Sequence, residues 1–114
     1  MTPARAILFT VATPYPALPN VTLFADTWQN HIVPQRPYLL GHADWLSGTL
    51  AAPSAVCAGT TNPGYLAFVS GAIVSSGRRS PFVVFVDPID RIVVTAGYRI
   101  DYRDLGAHTV LWVP

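Results

Sequence analysis

The chain has neither lysine nor glutamate: its seven cations are all arginine and its six acids all aspartate, across 114 residues. Charged side chains make up 11% of it, against about a quarter in an ordinary soluble domain. The formal net charge of +1 excludes a broad basic surface that holds nucleic acid by charge alone, so any phosphate site must be local. Genome base composition accounts for such one-sided usage. Arginine also suits phosphate, because its planar fork bonds two oxygens at once. One cysteine, Cys57, excludes an internal disulfide and a cysteine-rich zinc site. Set among Ala55, Val56 and Ala58, it reads as a small core residue. No apolar run approaches the roughly 20 residues that span a bilayer. Ala6 to Ala12, after Arg5, faintly resembles a signal peptide, but the run is short and Pro14 and Pro16 follow at once. A strand is the better reading there. Nothing addresses the chain to a compartment, which leaves the cytoplasm as the default.

What is present is apolar. Hydrophobic residues are 51% of the sequence, enough for one domain over residues 1–114 with a single core. Apolar surface should be left over for self-association or for a partner. The prolines of Thr13 to Asn20 impose an extended connection between two candidate strands, Ala6 to Ala12 and Val21 to Ala25. Asp26 and Thr27 are competent N-caps for a short turn that sets Trp28 and Ile32 on one face. Pro34 and Pro37 then interrupt the backbone. Leu39, Ala43, Leu46 and Leu50 recur at helical spacing and predict a helix over Tyr38 to Ala52, closed by Pro53.

From Ser54 the period changes to two. Ala55 to Gly59, Tyr65 to Ser70 with Ala72 to Val74, Phe82 to Val86, Arg91 to Tyr98 and Thr109 to Val113 are predicted strands. Gly59 to Gly64 and Ser75 to Ser80 have turn composition, and Asp87-Pro88-Ile89-Asp90 fits a type I turn joining two of the strands. Val83 with Phe85, and Val84 with Val86, make both faces of one strand apolar, which places it centrally in a sheet. Helices followed by an antiparallel meander define an α+β plan.

Chemistry concentrates near the prolines. His31 can move a proton near neutrality, and Arg36, five residues on, can hold a phosphoryl oxygen. Such a pair is the minimum for metal-independent RNA cleavage by a 2′-hydroxyl, which needs a proton acceptor, a donor and positive charge on the pentacoordinate phosphorus. Structurally, His31 is equally a residue beside an apolar helix face. Arg78 and Arg79, in a Gly/Ser turn, are a phosphate clamp or a solvated loop. Thr95, with Val93 and Gly97 on its own face, presents a hydroxyl to a ligand or is simply a good strand former. Tyr98 ends that strand. His42, off the apolar stripe, reads as exposed. Zinc held by His31, His42 and Asp44 is unattractive, since proline-broken backbone separates the first from the others. No cofactor motif occurs.

The run HIVPQRPYLLGHADWLSGTLAAPSAV resembles a motif of the form HI, three residues, HP, a helix, then P-x-x-V, matched by His31-Ile32, Pro37 and Pro53 to Val56. RIVVTAGY, Arg91 to Tyr98, resembles a closing VVTAY strand with one glycine inserted. Both mark the phage-associated members of the barnase–EndoU–colicin E5/D–RelE-like (BECR) nuclease superfamily. The resemblance covers residues 20–100, about seventy per cent of the chain. It implies an N-terminal helical segment on a four-stranded or larger antiparallel sheet, and metal-independent endoribonuclease activity of toxin or phage-effector type. It further implies tRNA or mRNA as substrate, a cognate antitoxin or immunity protein as partner, and no cofactor. By carry-over His31 is the acid/base, and Thr95 and Tyr98 line the sheet-side pocket. Arg36 and one of Arg78 or Arg79 then hold phosphate. Arg36 replaces the motif's second histidine, and Tyr38 the acid that follows its proline. Either arginine has taken over phosphate binding, or the domain binds without cutting and serves as a protein-interaction module.

Overall fold

Two apolar runs flanking the proline-rich connection close into a hairpin, β1 (Ile7–Ala12) antiparallel to β2 (Asn20–Phe24). The computed structural model describes residues 6–58, 64–70, 82–98 and 110–114. Leu18, inside the connection, is buried, and the Thr13 amide donates to the Pro19 carbonyl at 3.0 Å. The prolines therefore shape a closed loop rather than a loose linker.

The alternating segments pair in sequence order. β3 (Ala55–Ala58), β4 (Leu66–Ser70), β5 (Phe82–Asp87) and β6 (Ile92–Tyr98) are antiparallel neighbours, and β7 (Val110–Trp112) adds to β3. Among the described residues the sheet has seven strands in the order β1-β2-β6-β5-β4-β3-β7. β2 meets β6 in parallel at Thr22 and Ile92, where the Thr22 amide donates to the Arg91 carbonyl at 2.9 Å. The class is α+β. The four-stranded or larger antiparallel sheet on an N-terminal helical segment is corrected in two respects: a β-hairpin precedes the helical segment, and the sheet, seven-stranded among the described residues, is mixed rather than antiparallel throughout. The parallel pairing has no local sequence signature, because it joins residues seventy positions apart.

Between β2 and β3 the chain is helical in pieces. α1 (Ala25–Thr27) runs into a π-helical turn (Trp28–Ile32) and then α2 (Val33–Gln35). The Val33 amide reaches back five residues to the Trp28 carbonyl. Pro34 has no amide for the ordinary four-residue bond, and the ladder widens beside it. Trp28 and Ile32 are both buried, as their spacing predicts. Neither Asp26 nor Thr27 caps a helix with its side chain; α1 begins one residue earlier, from Phe24. The long helix is also corrected. A 3₁₀ turn (Pro37–Leu39) comes first, Gly41 has φ of +82°, and α3 spans only Ala43–Ala51. A left-handed residue cannot continue a right-handed helix. The apolar stripe survives the break: Leu39, Leu46 and Leu50 are fully buried.

These helices cover one face of the sheet, where Leu23, Ile32, Leu46, Phe68, Phe82 and Val84 form the main core. On the opposite face Cys57, Ala67, Val69 and Val83 are buried too. β5 is thus apolar on both sides and lies between β4 and β6, as a central strand should. At its end Asp87 Oδ1 accepts from the Ile89 amide at 2.9 Å, and Arg91 takes the left-handed conformation with φ of 58° that returns the chain. No helix among the described residues is long and apolar enough to cross a membrane. The expected strand at 72–74 and turn at 75–80 lie outside the described residues.

Candidate functional site

The residues of interest meet on β6. Phe85 pairs with Thr95 and Val86 with Val93, so Val94 is an extra residue in the strand, a β-bulge. The bulge turns Val93 towards the helices with Ala96 and Tyr98, all three in the main core. Thr95 and Gly97 point to the other face. Val93 therefore does not share a face with Thr95, contrary to strict alternation. Nor do Thr95 and Tyr98 line one pocket, since they face opposite sides of the strand.

Arg36 reaches β6 because Pro37 stops α2 and the backbone at Arg36 leaves the helical region, with φ of −139° and ψ of 74°. Its side chain occupies the space that a Cβ on Gly97 would fill, with Nε and Cδ both against that position. It thus lies on the side of β6 that carries Thr95. The residue is half-buried and makes no ion pair among the described residues; its guanidinium donates one long, exposed hydrogen bond, 3.5 Å, to Gln35 Oε1. The Thr95 hydroxyl oxygen is buried and has no hydrogen-bond partner among the described residues. Among those residues, a cation without a counter-ion stands on the same face as a hydroxyl without a partner.

Tyr38 closes the open edge of β6. Its hydroxyl accepts from the Tyr98 amide at 3.1 Å, and its ring lies 5.7 Å from that of Tyr98. Tyr98 packs edge-on against Phe82 at 5.5 Å and Trp45 at 6.4 Å. His42 stacks on Trp45, centroids 4.0 Å apart and planes 19° from parallel. A connected run of rings thus leads from Arg36 and Gly97 to the start of α3.

His31 sits on the exposed side of the π turn, beside buried Ile32. That turn packs against β6, and the imidazole makes no side-chain hydrogen bond or ion pair among the described residues. Arg36 and Thr95 share one face of β6, Arg36 over Gly97 two residues from Thr95, while Tyr98 lies on the opposite face and His31 bonds to neither. Arg78 and Arg79 lie outside the described residues. Sequence reasoning missed His42 and Trp45 as a pair and Gly97 as a cradle. The three-residue spacing of His42 and Trp45 at a helix start was the available signal.

Comparison of the chain with family models, curated proteins and solved structures finds no match.

Proposed function

We propose that this chain is a metal-independent endoribonuclease of toxin or phage-effector type, related to the BECR nucleases. The observation that carries the reading is Arg36, half-buried as a residue, without an acidic partner among the described residues, and laid by its Nε and Cδ over Gly97 on the Thr95 face. A guanidinium whose fork meets no carboxylate among the described residues is available to an anion. A phosphodiester is such an anion, bound through two oxygens on one guanidinium.

In this reading His31 takes the proton from the ribose 2′-hydroxyl, whose oxygen then attacks phosphorus. The bond to the 5′-oxygen breaks, leaving a 2′,3′-cyclic phosphate and a 5′-hydroxyl. Arg36 offsets the charge that grows on the phosphoryl oxygens, and the Thr95 hydroxyl donates to one of them. The substrate supplies its own nucleophile, so no metal-bound water is required. With one imidazole only, the departing oxygen takes its proton from water.

A second reading, a protein-interaction module on the same fold, is favoured by apolar residues on both edge strands: Ile7 and Leu8 on β1, Val110 and Leu111 on β7. In a toxin the same edges would receive the cognate inhibitor. Expression in bacteria separates the two. Growth arrest by the wild type and none by His31→Ala, with both folded by circular dichroism and cyclic-phosphate ends on cellular RNA, supports the nuclease. Harmless expression of folded wild type supports the module.

A further inference from the structure

His42 and Trp45 form a stack that the catalytic reading does not use. His42 immediately precedes α3, where its backbone starts the helix but its side chain caps nothing. One ring face lies on Trp45, and among the described residues the imidazole has no hydrogen bond and no second ring contact. Both residues are only half-buried. Trp45 is fixed from below, edge-on to Phe82 at 5.9 Å and to Tyr98 at 6.4 Å. From there the path continues through Tyr98 to Tyr38, whose hydroxyl would lie 3.0 Å from a Cβ on Gly97, beside Arg36. A flat ring without a second stacking partner among the described residues, on a rigid aromatic base, is an arrangement on which single-stranded nucleic acid stacks a base.

We infer that His42, backed by Trp45, is a stacking platform for an unpaired base of the RNA whose phosphate Arg36 holds. This rests on the ribonuclease reading and deepens it: the substrate is single-stranded, a loop or an end, because a base inside a duplex cannot leave its stack. Recognition is sequence-tolerant, since every base offers a π-face.

Two uncleavable probes test it: a labelled 2′-O-methyl hexanucleotide with all its bases, and the same backbone with abasic residues, each titrated by fluorescence anisotropy. Wild type should bind the base-bearing probe roughly 5- to 150-fold more tightly, the range for one stacked base. His42→Ala should bring that ratio close to one and leave abasic binding unchanged, while Trp45→Phe, which keeps an aromatic base, should retain part of it. An unchanged ratio in folded His42→Ala overturns the platform even if RNA is still bound and cut. Binding of neither probe by wild type overturns the ribonuclease reading and the platform together.

Discussion

Arg36 and Gly97 compete for one volume: a Cβ on the glycine would collide with Arg36 Nε and Cδ. The glycine has an ordinary negative-side backbone, so alanine there carries no conformational strain and the collision is the whole effect. Gly97→Ala should cost about 1–3 kcal/mol, the range for overpacking. In an Arg36→Ala background most of that cost should vanish, with a residue left by the Tyr38 hydroxyl 3.0 Å away. Urea unfolding of the four variants gives the coupling. A value above about 0.5 kcal/mol marks the pair as interacting; equal losses in both backgrounds would mean that Arg36 is not what the methyl meets.

Tyr38 stands where an added strand would stand. Its hydroxyl accepts the Tyr98 amide at 3.1 Å on the side of β6 that β2 does not reach, since β2 and β6 pair only at Thr22 and Ile92. Tyr38→Phe keeps the ring against Tyr98 and removes the acceptor. The expected loss is about 0.5–1.5 kcal/mol, one ordinary hydrogen bond. Amide exchange should single out Tyr98: faster there than in wild type, with Val84 and Phe85 unaffected. Uniform acceleration across β5 and β6 would instead indicate a general loosening of the sheet.

The elements could be read in the sequence where local chemistry decides them. Apolar runs beside the prolines located β1 and β2, period-two alternation from Ser54 located β3 to β6 within a residue or two, and the Asp87-Pro88 pair located the hairpin turn. The failures have physical causes. Gly41 is compatible with a helix interior by composition and was placed there; its φ of +82° follows from how the 3₁₀ turn must dock Leu39 in the core before α3 can start. The bulge at Val94 comes from pairing with β5, and no residue in VVTAG announces it. At the site, Arg36 and Thr95 were identifiable as residues able to do chemistry. That Gly97 leaves the room Arg36 occupies on the Thr95 face was not, because a missing Cβ has meaning only once a partner is known to occupy its place.

Cys57 gives the fold a pH dependence. Burial in the sheet pushes its thiol above the ordinary value of 9.0. The unfolded chain therefore ionises first as pH rises. The stability carried by the neutral thiol is complete below that ordinary value and is lost as pH climbs through it towards the folded one. Urea midpoints of wild type should fall between pH 7 and pH 9.5 more steeply than those of Cys57→Ala, which has no thiol to titrate. Parallel curves would show that Cys57 ionises equally easily in both states.

His31 separates chemistry from folding most cleanly. It is exposed, bonded to nothing through its side chain among the described residues, and adjacent to Ile32, which is fully buried. Removing the imidazole should leave the unfolding free energy from urea titration within about 0.5 kcal/mol of wild type, as for other surface positions. Cleavage of a single-stranded RNA should fall by roughly 10²- to 10⁴-fold, the contribution of one positioned proton carrier. Arg36→Ala should weaken RNA binding as well as turnover, because a phosphate ligand acts on the bound substrate and not only on the transition state. The split matters: His31→Ala should lower kcat with KM nearly unchanged, whereas Arg36→Ala should move both. If His31→Ala keeps full turnover while Arg36→Ala does not, the proton is carried elsewhere, and His42, the other imidazole near the ring cluster, becomes the residue to replace next.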